Sequence, residues 1–259
     1  LLINGNFDVW QRGSTFTGLN IYTADRWKLI DGVGSSSTVE KKQAFVDGAY
    51  VNVARITRIN AVIGNFSTVI DEWRHLSGKT LTLSFWARGI NAGFTTQTYV
   101  VANYGVSGSA PDDLLLESAV ITTDWQKYTY SVAVPDLSDK TFVDGNRIDI
   151  YLFRGVVASQ TIEISQVQVE LGGCATPFEW RPYGLEKSLC LEYFERWKPT
   201  GTYDLFGVGL AVTEAQAFIP VFFSRKRTAP TITIGGSAMN VYGIAWAKQQ
   251  ATSVTVNTI

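Results

Sequence analysis

Leu81-Thr-Leu-Ser-Phe-Trp-Ala-Arg88 decides the fold class, because the character of its side chains changes at nearly every residue. Successive side chains of an extended strand point to opposite sides of a sheet, so Leu81, Leu83, Phe85 and Ala87 share one side and Thr82, Ser84, Trp86 and Arg88 the other. The first set is apolar throughout and reads as core, and the second reads as the wet face. The same period of two recurs before and after this stretch, with Gly, Asp, Asn and Pro between the segments. It predicts strands near 37–46, 50–58, 80–88, 95–104, 116–121, 126–134, 147–154 and 160–170. Strands in this number and spacing predict an all-β fold, a β-sandwich of two antiparallel sheets with jelly-roll or related topology. The interval 65–76 stands apart, since Val69, Ile70, Trp73 and Leu76 fit a helical turn or two opened by Ser67 or Thr68.

The alternation ends in the stretch 174–197. Pro177 and Pro182 remove two backbone donors and bias the preceding residues away from helix, so an extended connector is expected. After Gly184, Leu185, Leu189, Tyr193 (or Phe194) and Trp197 recur at helical spacing, with Glu186, Lys187, Glu192, Glu195 and Arg196 between them. A short helix is predicted there, ended by Pro199 and Gly201. Beyond it, strands are expected at 204–213, 217–223, 231–234, 239–247 and 253–256. About 60 residues is marginal for an independent core, so this part is expected to lean on other structure. The predicted organisation is a sandwich over 1–174, a connector and short helix over 175–199, and a small distal β domain over 200–259.

Composition narrows the chemistry. With 22 Lys and Arg against 23 Asp and Glu, the positive field that drives non-specific nucleic-acid binding is missing, so no nucleic acid is expected. No apolar run approaches the roughly 20 residues that span a bilayer, and the amino terminus lacks a signal-peptide layout, so no membrane insertion is expected. The first residue is Leu1 and the last stretch, 253–259, reads as a strand, which suggests a piece of a longer polypeptide. Cys174 and Cys190 are read as neither a disulfide nor a metal pair. A single histidine, His75, excludes multi-histidine metal sites and ties any Ser-His-Asp site to one position. Aromatic residues make up 13% of the chain, more than its core requires, so some are expected on the surface for a purpose.

Six segments together carry a resemblance. They are Leu1-Leu-Ile-Asn-Gly-Asn-Phe-Asp-Val-Trp-Gln-Arg-Gly13, Tyr22-Thr-Ala-Asp-Arg-Trp-Lys-Leu29, Leu81–Arg88, Thr122-Thr-Asp-Trp-Gln-Lys127, Gln166-Val-Gln-Val-Glu-Leu-Gly172 and Ala175-Thr-Pro-Phe-Glu-Trp-Arg-Pro-Tyr183. In this order they resemble tailed-phage and prophage fibre proteins, in which a carbohydrate-binding-module-like jelly roll precedes a small distal domain. The resemblance implies a tail or head fibre module of the virion, usually a homotrimer, that touches cell-surface polysaccharide or lipopolysaccharide and joins other fibre or tail proteins. It also allows a structural calcium, with Asp8 at the early acidic position, but the late position reads Ile164-Ser-Gln-Val167 and lacks the expected carboxylate, so no cofactor is expected. Read physically, Asn4-Gly-Asn-Phe7 is a turn in which Gly5 takes a φ that other residues resist. Trp10, Tyr22 and Trp27 are expected to pack across the sandwich edge, and Asp25 with Arg26 to form a charge-assisted pair.

Alternation also locates a candidate site. Trp86 and Arg88 lie on one wet face, Gln97, Tyr99 and Asn103 on another, and Arg147, Asp149 and Tyr151 on a third. If these strands are neighbours, flat rings flanked by amide, carboxylate and guanidinium groups form one carbohydrate-binding patch. The same face could instead pack on a sister subunit or be a solvated sheet face. Leu185, Leu189, Tyr193 and Trp197 are the candidate oligomer interface. Asp112, Asp113 and Glu117, and Asp71 with Glu72, are the carboxylate groupings that glycoside hydrolysis would need, but adjacent acids usually mark a solvated turn. Trp73-Arg-His75 reads as packing, and Arg225-Lys-Arg227 as a solvent-facing turn. The expectation is a non-enzymatic fibre module that attaches to host glycan. The alternatives are a scaffold joining fibre or baseplate components and a polysaccharide depolymerase.

Overall fold

The computed structural model describes residues 1–32, 36–60, 64–91, 93–155, 159–198, 207–213, 216–233, 240–242 and 248–250. In chain order the elements are β1 (Thr15–Thr17), β2 (Ile21–Tyr22), β3 (Lys28–Ile30), β4 (Ser36–Val46), β5 (Ala49–Asn60), β6 (Asn65–Ile70), a 3₁₀ turn (Trp73–Leu76), β7 (Thr80–Gly89), β8 (Phe94–Asn103), β9 (Asp112–Ile121), β10 (Gln126–Ala133), β11 (Arg147–Arg154), β12 (Gln160–Leu171), α1 (Tyr183–Leu191), β13 (Leu210–Thr213), β14 (Gln216–Phe218), β15 (Asn240–Tyr242) and β16 (Lys248–Gln250). One sheet runs β1-β4-β5-β12-β7-β10 and the other β2-β3-β6-β11-β8-β9. Pairing within both is antiparallel throughout. From β6 to β8, and again from β9 to β12, the chain passes from one sheet to the other at each step, giving a β-sandwich of jelly-roll type.

The alternation at 81–88 holds: Leu81, Leu83, Phe85 and Ala87 are buried, in one cluster with Val100, Ala102, Ile148, Ile150 and Leu152 of the facing sheet. The interval 65–76 differs from its expected helical turns. Phe66, Thr68 and Ile70 also alternate, and strands on both sides, β3 and β11, supply a hydrogen-bond ladder that a lone helical turn lacks. Only Trp73–Leu76 turns, after Glu72 at φ 54 breaks the strand; Trp73 is buried against Tyr104 and Phe142, as a packing residue should be.

The amino-terminal turn works by close approach. Asn4, at φ 59, takes the left-handed conformation, and its side chain donates to the Val9 and Asp25 carbonyls at 2.9 Å while accepting the Val9 N–H at 3.0 Å. A Cβ on Gly5 would stand 1.9 Å from the Val167 carbonyl oxygen, so glycine is required there by space and not by φ. Trp27 is fully buried and stacks on Phe66 at 4.9 Å, Trp10 rests on Phe16, and Tyr22 stays exposed. Asp25 and Arg26 do not pair with each other: Asp25 meets Arg12 at 3.2 Å, and Arg26 meets Asp71 at 2.6 Å.

Residues 1–224 form one compact unit and 225–259 another. The connector belongs to the sandwich because polar groups fasten it there. Glu179 N–H donates to Gln168 Oε1 at 2.7 Å, Lys127 Nζ to the Thr176 carbonyl at 2.8 Å, and Arg181 Nη2 to the Leu2 carbonyl at 2.9 Å. The helix α1 ends at Leu191, well short of Trp197, and the residues it buries are Glu186 and Cys190. Glu186 accepts the Asn4 N–H and pairs with Arg181 at 3.1 Å. Beyond the helix, the Arg26 guanidinium lies 3.7 Å from the Tyr193 ring centroid and that of Arg12 3.4 Å from Phe194. Tyr193 therefore packs on the sandwich, while Leu185 and Trp197 are exposed and Leu189 and Tyr193 are partly exposed.

In the later part, β13 and β14 pair as a hairpin that covers the ends of two expected strands, and 219–223 is not strand. In the second unit, β15 and β16 pair, β16 where none was expected. Residues 231–233 are not strand; 204–206, 234, 239, 243–247 and 253–256 lie outside the described residues.

Candidate functional site

The outer face of the sheet β2-β3-β6-β11-β8-β9 brings most of the expected patch together. In β8 and β11 the inward positions are filled by Val100, Ala102, Ile148 and Ile150, which turns Gln97, Tyr99, Asn103, Arg147, Asp149 and Tyr151 outward. Register places Tyr99 opposite Tyr151 and Asn103 opposite Arg147. The two tyrosine rings stack with centroids 5.9 Å apart and planes 23° from parallel. Strand pairing extends this line across the sheet, through Tyr22, Lys28, Ser67, Tyr151, Tyr99 and Leu116.

Charged groups hold the rings in place. Arg147 Nε donates to Asp149 Oδ1 at 2.7 Å, and its Nη1 donates to the Gly145 carbonyl at 3.1 Å. The Tyr99 hydroxyl donates to Asp113 of β9, which raises the Tyr99 pKa. Burial pushes the Asp149 carboxyl above its ordinary value, against the pull of Arg147, and burial likewise raises Tyr151. At the end of β11 a bulge turns Phe153, at φ 59, into the core and sets Arg154 opposite Gln97. The Arg154 guanidinium then lies 5.0 Å from the Tyr99 ring centroid. Such a face can hold a pyranose: C–H groups lie on the rings, and hydroxyls meet amide, carboxylate and guanidinium groups.

Trp86 and Arg88 are not part of it. Their strand, β7, belongs to the other sheet, so they leave from the opposite side of the sandwich. After Gly89 the chain crosses between sheets where a hairpin would have kept β7 and β8 together. Trp86 and Trp125 cover Ala44, Val46, Val51 and Val53, while Arg88 Nε donates to Glu163 Oε2 at 2.9 Å. The other Glu163 oxygen accepts from Arg55 at 2.6 and 2.8 Å, so this side is a packed ionic ladder.

Asp8, the expected early acidic position, is engaged by amide groups. Its Oδ1 accepts from Asn52 Nδ2 at 2.6 Å and Asn6 Nδ2 at 3.1 Å, and among the described residues no group of three or more His, Cys, Asp or Glu could hold a metal. Amide donors point where a hard cation needs oxygen. The acid pairs are also engaged. Asp112 lies in strand β9, not in a turn, accepts from Tyr104 at 2.6 Å and pairs with Lys140 at 2.8 Å. Lys140, and then Tyr104, hold its carboxyl below the usual range, opposite to what a general acid needs. Cys174 and Cys190 are both free thiols.

Sequence reading missed Tyr22, Lys28, Asp113 and Arg154. A strict period of two assigns Arg154 to the buried side with Ile148 and Ile150, and only the bulge reverses it. Tyr22 and Lys28 sit in strands of two and three residues, too short for alternation to register.

No protein-family model and no curated protein matches this chain. Among solved structures, it is similar to a CBM4 protein, at 21% identity over 65% of this chain and 98% of that one, with a TM-score of 0.42. It is also similar to a family 11 carbohydrate-binding module from Clostridium thermocellum, at 14% identity over 62% and 96% of the two chains, with a TM-score of 0.38. A third likeness is to the enzymatically active domain of tailspike protein 4 from bacteriophage CBA120, at 16% identity over 57% of this chain and 19% of that one, with a TM-score of 0.36. At these scores the likenesses assign no function to the chain.

Proposed function

We propose that the sandwich is a non-enzymatic carbohydrate-binding module whose tyrosine-bearing sheet face attaches a phage fibre to glycan on the host cell surface. The stacked Tyr99–Tyr151 pair, in register and flanked by Asn103, Gln97 and the Arg147–Asp149 pair, carries this reading. Stacked rings with fixed polar neighbours suit a ligand that is apolar on one face and hydroxylated at its rim. A homotrimer of the virion fibre would present three such faces, and weak contacts would then combine through high effective concentration. Affinity electrophoresis against a polysaccharide panel tests the site: wild-type chain is retarded by at least one polymer, and Tyr99→Ala with Tyr151→Ala removes the retardation, each ring contributing about 1–2 kcal/mol. Retardation unchanged in the double variant would exclude this face.

The scaffold reading, in which the chain joins fibre or baseplate components without touching a host, draws on a different observation. Trp180, Tyr183, Leu185 and Trp197 are all exposed along the connector and helix. A pull-down with neighbouring fibre proteins that survives the tyrosine substitutions and fails on Leu185→Glu favours it.

A further inference from the structure

Two cations on the tyrosine face have no carboxylate partner among the described residues. Lys28 lies 5.8 Å from the Tyr22 ring centroid, and Arg154 lies 5.0 Å from that of Tyr99. Other charges beside the rings have partners among the described residues. Arg147 is paired with Asp149 at 2.7 Å and Arg26 with Asp71 at 2.6 Å, while Asp113 accepts the Tyr99 hydroxyl. The carboxylates Asp149 and Asp113 lie in register with each other through Val101, on the row between the tyrosines and Asn103. Arg154 lies beyond the tyrosines on the opposite side, across from Gln97, and Lys28 lies in the tyrosine row itself. The face is thus polarised along its strands: Asp149, paired with Arg147, and Asp113, bonded to the Tyr99 hydroxyl, lie on one side of the rings, Arg154 on the other and Lys28 between them.

We propose that this face selects acidic glycans, with the carboxylate of a uronate or sialate unit taken by Arg154 beside the Tyr99 ring and a second acid group reached by Lys28. The proposal rests on the carbohydrate reading of the same face and names its ligand class. A guanidinium with no partner acid keeps its forked donors for a ligand carboxylate, and the ring beneath it limits the rotamers it must give up on binding. Lys28 and Tyr99 are separated by three strand spacings, about 14 Å, so both are reached by one oligosaccharide running across the strands. A neutral glycan offers these cations only hydroxyl acceptors, and bonds to a charged carboxylate are the stronger ones.

Polygalacturonate and polysialate, each compared with its carboxyl-reduced polymer, test this on the intact chain. Each reduced polymer keeps the ring and linkage but loses the charge. The expected result is about tenfold tighter binding of an acidic polymer than of its reduced form, with the difference shrinking as salt rises from 50 to 500 mM. Arg154→Gln together with Lys28→Gln removes the preference, so that acidic and reduced polymers bind the variant alike. Equal binding of acidic and reduced forms, or a preference that survives in the double variant, overturns acid selection while the carbohydrate reading stands. If none of the four polymers binds, acid selection is overturned, and the neutral polymers of the wider panel then decide the carbohydrate reading separately.

Discussion

Gly5 shows how one residue can be required for a reason that its surroundings alone reveal. Backbone conformation does not demand it, but the Val167 carbonyl 1.9 Å from any added Cβ does. Gly5→Ala is expected to cost about 1–3 kcal/mol, measured by chemical denaturation, because the amino-terminal turn must back away from β12 and strain the Val167 N–H to Gly5 carbonyl bond of 2.8 Å. Asp149 gives a prediction in pH. Burial raises its pKa in the folded chain above the ordinary 3.8, so the folded state holds the proton more tightly than the unfolded state does. Its contribution to stability is therefore full below about pH 4 and is lost as pH rises through the folded value. Asp149→Asn removes that loss, so the Tm of the variant minus that of the wild type should grow between pH 4 and 7. A difference that is flat or falls with pH would contradict the assignment.

Among the elements, the helix α1 is held by polar groups where its sequence pattern pointed to apolar ones. Leu185 and Leu189 satisfy helical spacing, yet Glu186 and Cys190 are the residues that face the sandwich. Glu186→Ala strips the acceptor from the Asn4 N–H and from Arg181, both partly or wholly buried, and should cost about 1–3 kcal/mol. Limited proteolysis should then cut between 181 and 198 faster than in the wild type, while the β-sandwich retains its far-ultraviolet spectrum. This element also marks what a sequence conveys. The interior of strand 80–88 was legible because alternation is a local property, and Leu81, Leu83, Phe85 and Ala87 did go inside. Its sheet was not legible, because whether β7 joins β8 or crosses over depends on partners far along the chain. Most of the candidate site followed from the first property. Trp86 and Arg88 were lost to the second, and Arg154 was hidden by a bulge that no period records.

For the molecule as a whole, the proposed fibre assembly makes a prediction of mass. Leu185 is 51% exposed and Trp197 47%, a surface suited to a sister chain. Light scattering on the intact chain is expected to give three times the mass of one chain, and Leu185→Glu to shift it toward a single chain without lowering the Tm of the sandwich. A wild-type chain at single mass across the micromolar range would contradict this assembly.

The two thiols differ sharply in chemical accessibility. Cys174 is exposed on the connector, whereas Cys190 is wholly buried on the inner side of the helix and burial raises its pKa. A maleimide at neutral pH should accordingly add one label per native chain, at Cys174, and a second only after the helix lifts. The chain thus contains a single attachment point for a fluorophore beside the joint, and a built-in count of how often that joint opens.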